Sequence, residues 1–247
     1  TAVPEAPQPP EPPKTSESRR MGTPAPAAPA APALMAASAS DKKKSSSFSL
    51  HEDDETKTIN GTWTDDGRSA KYKSRGAIRF NEAMNDVEAM PEGGSLTVEE
   101  DRGGHERRAE FRKKNGQIER KYYVDGESTV WNDAAREWFG AFLLETDRRS
   151  ALLAGNRFPR LMKAGGANAV LSEIALMPSD YAKSVYYRLL MKRDIGPEDL
   201  RKAIAQAGKE VESDYELARI LSEAAERNAL NDPATRSAFM AAADGHG

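Results

Sequence analysis

Ser179-Asp180-Tyr181 and Ser213-Asp214-Tyr215 are the same three residues set 34 positions apart, and each opens a stretch with helical spacing. Ser accepts a hydrogen bond from a first-turn backbone N–H and so caps a helix start. Asp in the first turn sits at the positive end of the helix dipole. In the second copy Glu216 stands where it completes a capping box with Ser213; in the first copy Ala182 stands there. After each start, apolar residues fall on one helical face: Tyr181, Val185, Tyr186, Leu189 and Leu190, then Leu217, Ile220, Leu221 and Ala224.

A partner helix follows each of these. Pro is favoured at the first helical position, and Pro197 in Gly196-Pro197-Glu198-Asp199 and Pro233 in Asn231-Asp232-Pro233 mark two such starts. Leu200, Ala203, Ile204, Ala207 and Val211 line one face of the first partner; Phe239, Met240 and Ala243 line the second. A weaker copy lies upstream, where Gly165-Gly166 separates Phe158–Lys163 from a helix carrying Val170, Leu171, Ile174 and Met177. A period of this length predicts stacked helical hairpins, a short α-solenoid. The Trp/Leu-Gly/Tyr pattern of tetratricopeptide repeats is missing, so the reading is HEAT-like or unclassified. The signature residues Ser179, Asp180, Tyr181, Ser213, Asp214, Tyr215 and Glu216 read as caps and packing anchors rather than as a binding site. Gly245-His246-Gly247 falls about where a third signature would begin, which reads either as a continuing array or as a flexible end.

Upstream of the helices the period changes to two. Thr58–Trp63 alternates into the turn signal Asp65-Asp66-Gly67, and Ala70–Lys73 follows. Further short runs are Ala77–Phe80, Ser95–Glu99 after Gly93-Gly94, Arg108–Arg112 after Gly103-Gly104, and Ile118–Val124 into Asp125-Gly126. These predict an antiparallel β-meander. One face is expected to be apolar (Ile78, Phe80, Leu96, Val98, Phe111, Tyr123), the other charged (Lys71, Lys73, Glu99, Arg108, Glu110, Arg112, Arg120). A single sheet must cover its apolar face. The helix expected from Asp133 to Leu144, capped by Asp133, offers Trp138, Phe139, Phe142 and Leu143 for that purpose. The fold class is therefore α+β, divided into a disordered linker over 1–54, a β domain over 55–131 and a helical repeat domain over 132–247.

The linker reading comes from composition. Ten of the chain's 15 prolines lie between Pro4 and Pro32, among Ala, Glu, Ser and Gln. Proline lacks an amide hydrogen and fixes φ, which excludes helix and central strand. Few large side chains are present to offset the entropy of ordering. A semi-rigid extended spacer is expected. It reads as a stalk or as a ligand for a polyproline-binding domain; no PxxP has a persuasive basic anchor, which favours the stalk. The chain starts at Thr1 rather than Met, and is expected to be a piece of something longer.

Composition limits the chemistry. The chain has no cysteine, which excludes disulfides, thiolate metal sites and cysteine nucleophiles. A net charge of −3 supplies no overall basic field for nucleic acid, and the strand cations are interleaved with acids and carry no aromatic RNA-binding signature. No run is apolar for long enough to span a membrane. His51 begins His51-Glu52-Asp53-Asp54-Glu55 without a second histidine four residues on, as a zinc-protease helix requires. His105 falls in a turn and His246 at the end. The adjacent carboxylates Glu99 and Glu100 point to opposite faces if they lie on a strand, a poor geometry for acid–base work. Neither a nucleophile elbow nor a phosphate-binding loop is present. The expectation is no catalytic residue, no metal and no cofactor.

Arg75-Gly76-Ala77-Ile78-Arg79-Phe80, Gly93–Glu100, Tyr122-Tyr123-Val124-Asp125-Gly126 and the two Ser-Asp-Tyr starts together resemble one bacterial group. It is the extracytoplasmic C-terminal region of beta-lactam-sensor-type membrane metallopeptidases and related anti-sigma-factor-like proteins. The resemblance covers most of residues 55–244. It implies a signalling role, a periplasmic location and a membrane anchor upstream of this chain. The zinc motif of those peptidases is absent, so no catalytic residue carries over. The expected function is a non-enzymatic sensing or protein-interaction region with a protein or peptide partner and no nucleic acid. The alternatives are the sensory tail of a zinc metallopeptidase whose catalytic domain lies elsewhere, and a structural scaffold.

Overall fold

The computed structural model describes residues 58–65, 67–226, 230 and 232–245, and the backbone alone of 47–53 and 227. The expected stalk, the Asp66 and Asn231 turn positions and His246 lie outside the described residues. The fold is α+β: among the described residues an antiparallel sheet is followed by six helices.

Among the described residues there are nine strands: β1 (Ser47–Asp53), β2 (Thr58–Asp65), β3 (Arg68–Arg75), β4 (Arg79–Phe80), β5 (Val87–Ala89), β6 (Ser95–Arg102), β7 (His105–Lys114), β8 (Gln117–Val124) and β9 (Glu127–Thr129). Seven of them form one sheet in the order β1-β2-β3-β6-β7-β8-β9, with every neighbouring pair antiparallel. β4 and β5 pair only with each other. The chain therefore leaves the sheet after β3, forms a small hairpin, and re-enters beside β3 as β6. The Ala77–Phe80 run, expected within the meander, belongs to this excursion. β1 is a second departure: Ser47–Asp53 lies in the stretch read as linker but pairs along the length of β2. Its alternation of Phe48 and Leu50 with polar residues is hidden in a serine-rich run.

Alternation sorts the side chains as the pleat requires. Trp63, Ala70, Tyr72, Leu96, Val98, Ala109, Phe111 and Tyr122 are buried on one face. Tyr123 does not join them: the register pairs it with Arg108, and the Arg108 guanidinium lies 4.3 Å from its ring centre on the open face. Arg120 is displaced the other way. It pairs with Phe111 and so belongs to the covered side, where its Nε donates to Asp86 Oδ1 at 2.8 Å. Period-two counting shifts by one when the strand's first core residue is misplaced, and here Tyr122 rather than Tyr123 is the core tyrosine.

α1 (Asp133–Ser150) covers the apolar face. Its cap is Asn132, one residue before the expected Asp133: the Ala135 N–H donates to Asn132 Oδ1 at 3.0 Å. Phe139 packs on Phe111 with ring centres 5.0 Å apart, and Trp138 on Tyr122 at 5.3 Å. α1 thus shares the core of the sheet, although it lies in the segment assigned to the helices by sequence.

A second core belongs to α2 (Ala154–Ile174), α3 (Asp180–Met191), α4 (Pro197–Glu210), α5 (Asp214–Arg227) and α6 (Pro233–Asp244). α2 is two helical stretches joined at Gly165-Gly166, whose backbone is not helical. α3 packs on α5 and α4 on α6, so the two helix pairs stack in parallel order. The α4–α6 approach is close: a Cβ on Gly208 would stand 2.6 Å from that of Ala242.

A basic cleft on the open face of the sheet as candidate functional site

Side chains on the open face of the sheet stand in rows across the strands. One row runs Thr58, Arg75, Ser95, Arg112, Glu119; the next runs Asn60, Lys73, Thr97, Glu110, Lys121; a third holds Thr62, Lys71, Glu99, Arg108 and Tyr123. In the third row the charges are matched. Lys71 Nζ lies 3.0 Å from Glu99 Oε2, and this hydrogen bond raises the lysine's pKa. Arg108 lies 3.4 Å from Glu110.

The first row behaves differently. Together with Lys73 of the second row, Arg75, Arg112 and Lys114 border a cleft of about 520 Å³ floored by Gly93, Gly94, Ser95 and Thr97, with Glu119 as the acid among its lining residues; Lys113 also borders it, but alternation turns its side chain to the covered face. Arg112 reaches Glu110 only at 3.9 Å. Among the described residues Lys73, Arg75 and Lys114 have no ion-pair partner. Four open-face cations around one concavity raise the local potential and attract anions, although the chain as a whole is slightly acidic. The cleft has no buried acid–base pair aimed into it. Cations gathered at one concavity make its electrostatics complementary to negative charge.

The Ser-Asp-Tyr residues lie elsewhere, on the helices, and are not brought together with this cleft. Ser179 caps α3, its Oγ accepting from the Ala182 N–H at 3.3 Å, and Ser213 Oγ accepts from the Glu216 N–H at 3.4 Å. The reciprocal half of the expected capping box is replaced. Asp180 Oδ2 accepts from the Glu212 and Ser213 N–H groups, each at 2.9 Å, and Glu216 pairs with Arg219 instead. Tyr181 is half-buried, whereas Tyr215 is 63% exposed with the Arg219 guanidinium near its ring. Asp214 lies in the first turn of α5.

Two buried ionic clusters join elements. Glu100 receives Arg68 at 2.8 Å, Arg102 at 3.0 Å and the Trp138 indole N–H at 2.7 Å. Burial works against its charge, but these donors together outweigh burial and hold the carboxyl below its usual range. Asp147 is fully buried at the end of α1; it accepts from the Tyr186 hydroxyl and from the Leu153 N–H at 2.8 Å. There burial prevails over the donors and pushes the carboxyl up. Neither cluster borders the cleft.

His105, the first residue of β7 rather than a turn residue, pairs with Asp125 of the β8–β9 turn, and both are exposed. Among the described residues no three or more His, Asp or Glu side chains are grouped to hold a metal ion, and no helix is long and apolar enough to cross a membrane. The cleft escaped the sequence reading because its cations come from strands some forty positions apart that become near neighbours only through the β3–β6 pairing. The available signal was Lys71-x-Lys73-x-Arg75 alternating on one strand, with Arg112-Lys113-Lys114 ending another. Comparison of the chain with protein-family models, curated proteins and solved structures finds no match.

Proposed function

We propose that this chain is a non-enzymatic interaction and sensing region whose basic cleft holds an acidic segment of a protein or peptide partner. The observation behind this reading is the gathering of Lys73, Arg75 and Lys114 around one concavity with no ion pair among the described residues. Charge of one sign at a cleft steers an oppositely charged partner and fixes its register. Nucleic acid fits less well, because Glu99, Glu110 and Glu119 interrupt the cationic rows and Tyr123 is already covered by Arg108.

The test is fluorescence anisotropy with a labelled oligo-glutamate peptide. Lys73→Glu with Arg75→Glu should weaken binding at least tenfold, on the order of 1.4 kcal/mol or more, and salt should weaken wild-type binding. Equal affinity of the variant, or tighter binding of a single-stranded oligonucleotide than of the peptide, would overturn the reading. A structural scaffold predicts no saturable binding.

The Pro/Ala-rich start and the sequence resemblance support an extracytoplasmic placement, tethered to a membrane signalling protein. Protease added to intact spheroplasts should cleave the epitope-tagged native protein. Protection until the membrane is lysed would sink that placement. If the native protein also carries a zinc peptidase domain, this region is its sensory tail.

A further inference from the structure

The β7–β8 turn that presents Lys114 is held from outside its own hairpin. Asn115 and Gly116 adopt positive φ, 52° and 77°, as a two-residue hairpin turn requires. Their N–H groups both donate to one carboxylate, Asn115 to Glu92 Oε1 at 2.8 Å and Gly116 to Glu92 Oε2 at 3.3 Å. The backbone beside Glu92 adds two bonds: the Gly93 N–H donates to the Lys113 carbonyl at 3.3 Å, and the Lys113 N–H to the Gly94 carbonyl at 3.0 Å. Glu92 to Gly94 therefore runs along the end of β7 as a clamp, and Gly93 and Gly94 are also part of the cleft floor.

An exposed acid beside a site for acidic ligands is unfavourable by charge alone. Its retention at the turn has a geometric explanation. We propose that Glu92 is a positioning residue of the cleft: by chelating the Asn115 and Gly116 N–H groups it fixes the direction in which Lys114 leaves the sheet. This inference rests on the acidic-ligand reading above.

Charge and geometry predict opposite signs for the same substitution. Loss of an acid from a basic cleft tightens binding of an acidic peptide. Loss of the clamp frees the turn, so that Lys114 must be ordered when the ligand binds. Glu92→Ala should weaken oligo-glutamate binding about threefold at about 0.1 M salt, the scale of one lost exposed hydrogen bond. Glu92→Gln keeps one acceptor oxygen without the charge, and should bind at least as well as the Ala variant. Amide exchange at Asn115 and Gly116 should accelerate in the Ala variant relative to wild type. Tighter binding by Glu92→Ala, or unchanged exchange at both amides, would overturn the inference. If Lys73→Glu with Arg75→Glu leaves wild-type affinity intact, the ligand reading falls and the clamp's role in binding falls with it. If that pair weakens binding while Glu92→Ala tightens it, the ligand reading stands and only the clamp is wrong.

Discussion

Asp180 illustrates how much one side chain in a helix start can do. Read alone, it is an acid at the positive end of a helix. In the fold its Oδ1 holds Lys183 at 3.2 Å while its Oδ2 takes the N–H groups of Glu212 and Ser213. Lys183 in turn donates to the Glu210 carbonyl at 2.5 Å. The acid of one helix start thus satisfies the backbone that leads into the next, linking α3 to the α4–α5 connection. Hydrogen bonds to a charged acceptor are worth about 1.5–3 kcal/mol each where burial is partial, less where water competes. Glu212 is exposed, so the lower end applies. Asp180→Ala should lower unfolding stability by about 2 kcal/mol, read from the urea midpoint. Asp180→Asn, which retains one acceptor, should lose less. A midpoint for Asp180→Ala indistinguishable from wild type would show that the bridge carries no stability.

At the level of elements, the strong periodicities were legible and the exceptions have physical causes. The helix starts at Ser179, Ser213 and Pro197, and the stripe Trp138, Phe139, Phe142, Leu143, followed from local rules because caps and apolar spacing act within one turn or two. The Asn132 cap was missed by one position since Asn132 and Asp133 are equally good cap residues and only the Ala135 N–H decides between them. Glu216 was assigned to a capping box that needs the Ser213 N–H; a residue 33 positions earlier, Asp180, takes that donor. No local rule carries that information. The same holds for Arg120, whose place on the covered side depends on Asp86 in the β4–β5 excursion, and for the cleft, whose cations meet only through sheet order. Residue types and local spacing revealed the elements; long-range pairing decided the site.

For the molecule as a whole, the last turn of α1 matters most, since it touches both cores. On one side Glu145 binds Arg68 at 2.6 Å, Thr146 accepts from the Trp63 indole N–H at 3.3 Å, and Arg149 reaches Asp65 at 2.8 Å. On the other side Arg148 meets Glu173 at 2.6 Å, and Asp147 takes the Tyr186 hydroxyl of α3 with Arg157 at 3.6 Å. The acids of these clusters titrate with opposite consequences. Hydrogen bonds and guanidinium neighbours overcome the burial that disfavours the charges of Glu100 and Glu173 and hold both below the usual range, so their stabilisation is present above a normal glutamate pKa and lost as pH falls through the folded values. Asp147 is raised by burial despite its donors, so the folded state binds its proton more tightly than the unfolded chain does. Its contribution is full below an ordinary aspartate pKa of about 3.9 and is lost as pH rises through its raised folded value. Asp147→Asn removes this titration and leaves Glu100 and Glu173 in place. The stability of wild type minus that of Asp147→Asn should therefore fall as pH rises from about 4 and level off once Asp147 is ionised. Urea unfolding of both proteins across that range measures it. A difference that stays flat, or that grows in favour of wild type with rising pH, would mean that Tyr186, Leu153 and Arg157 stabilise the carboxylate more than burial opposes it, and that the contact between the two cores is a conventional ion pair.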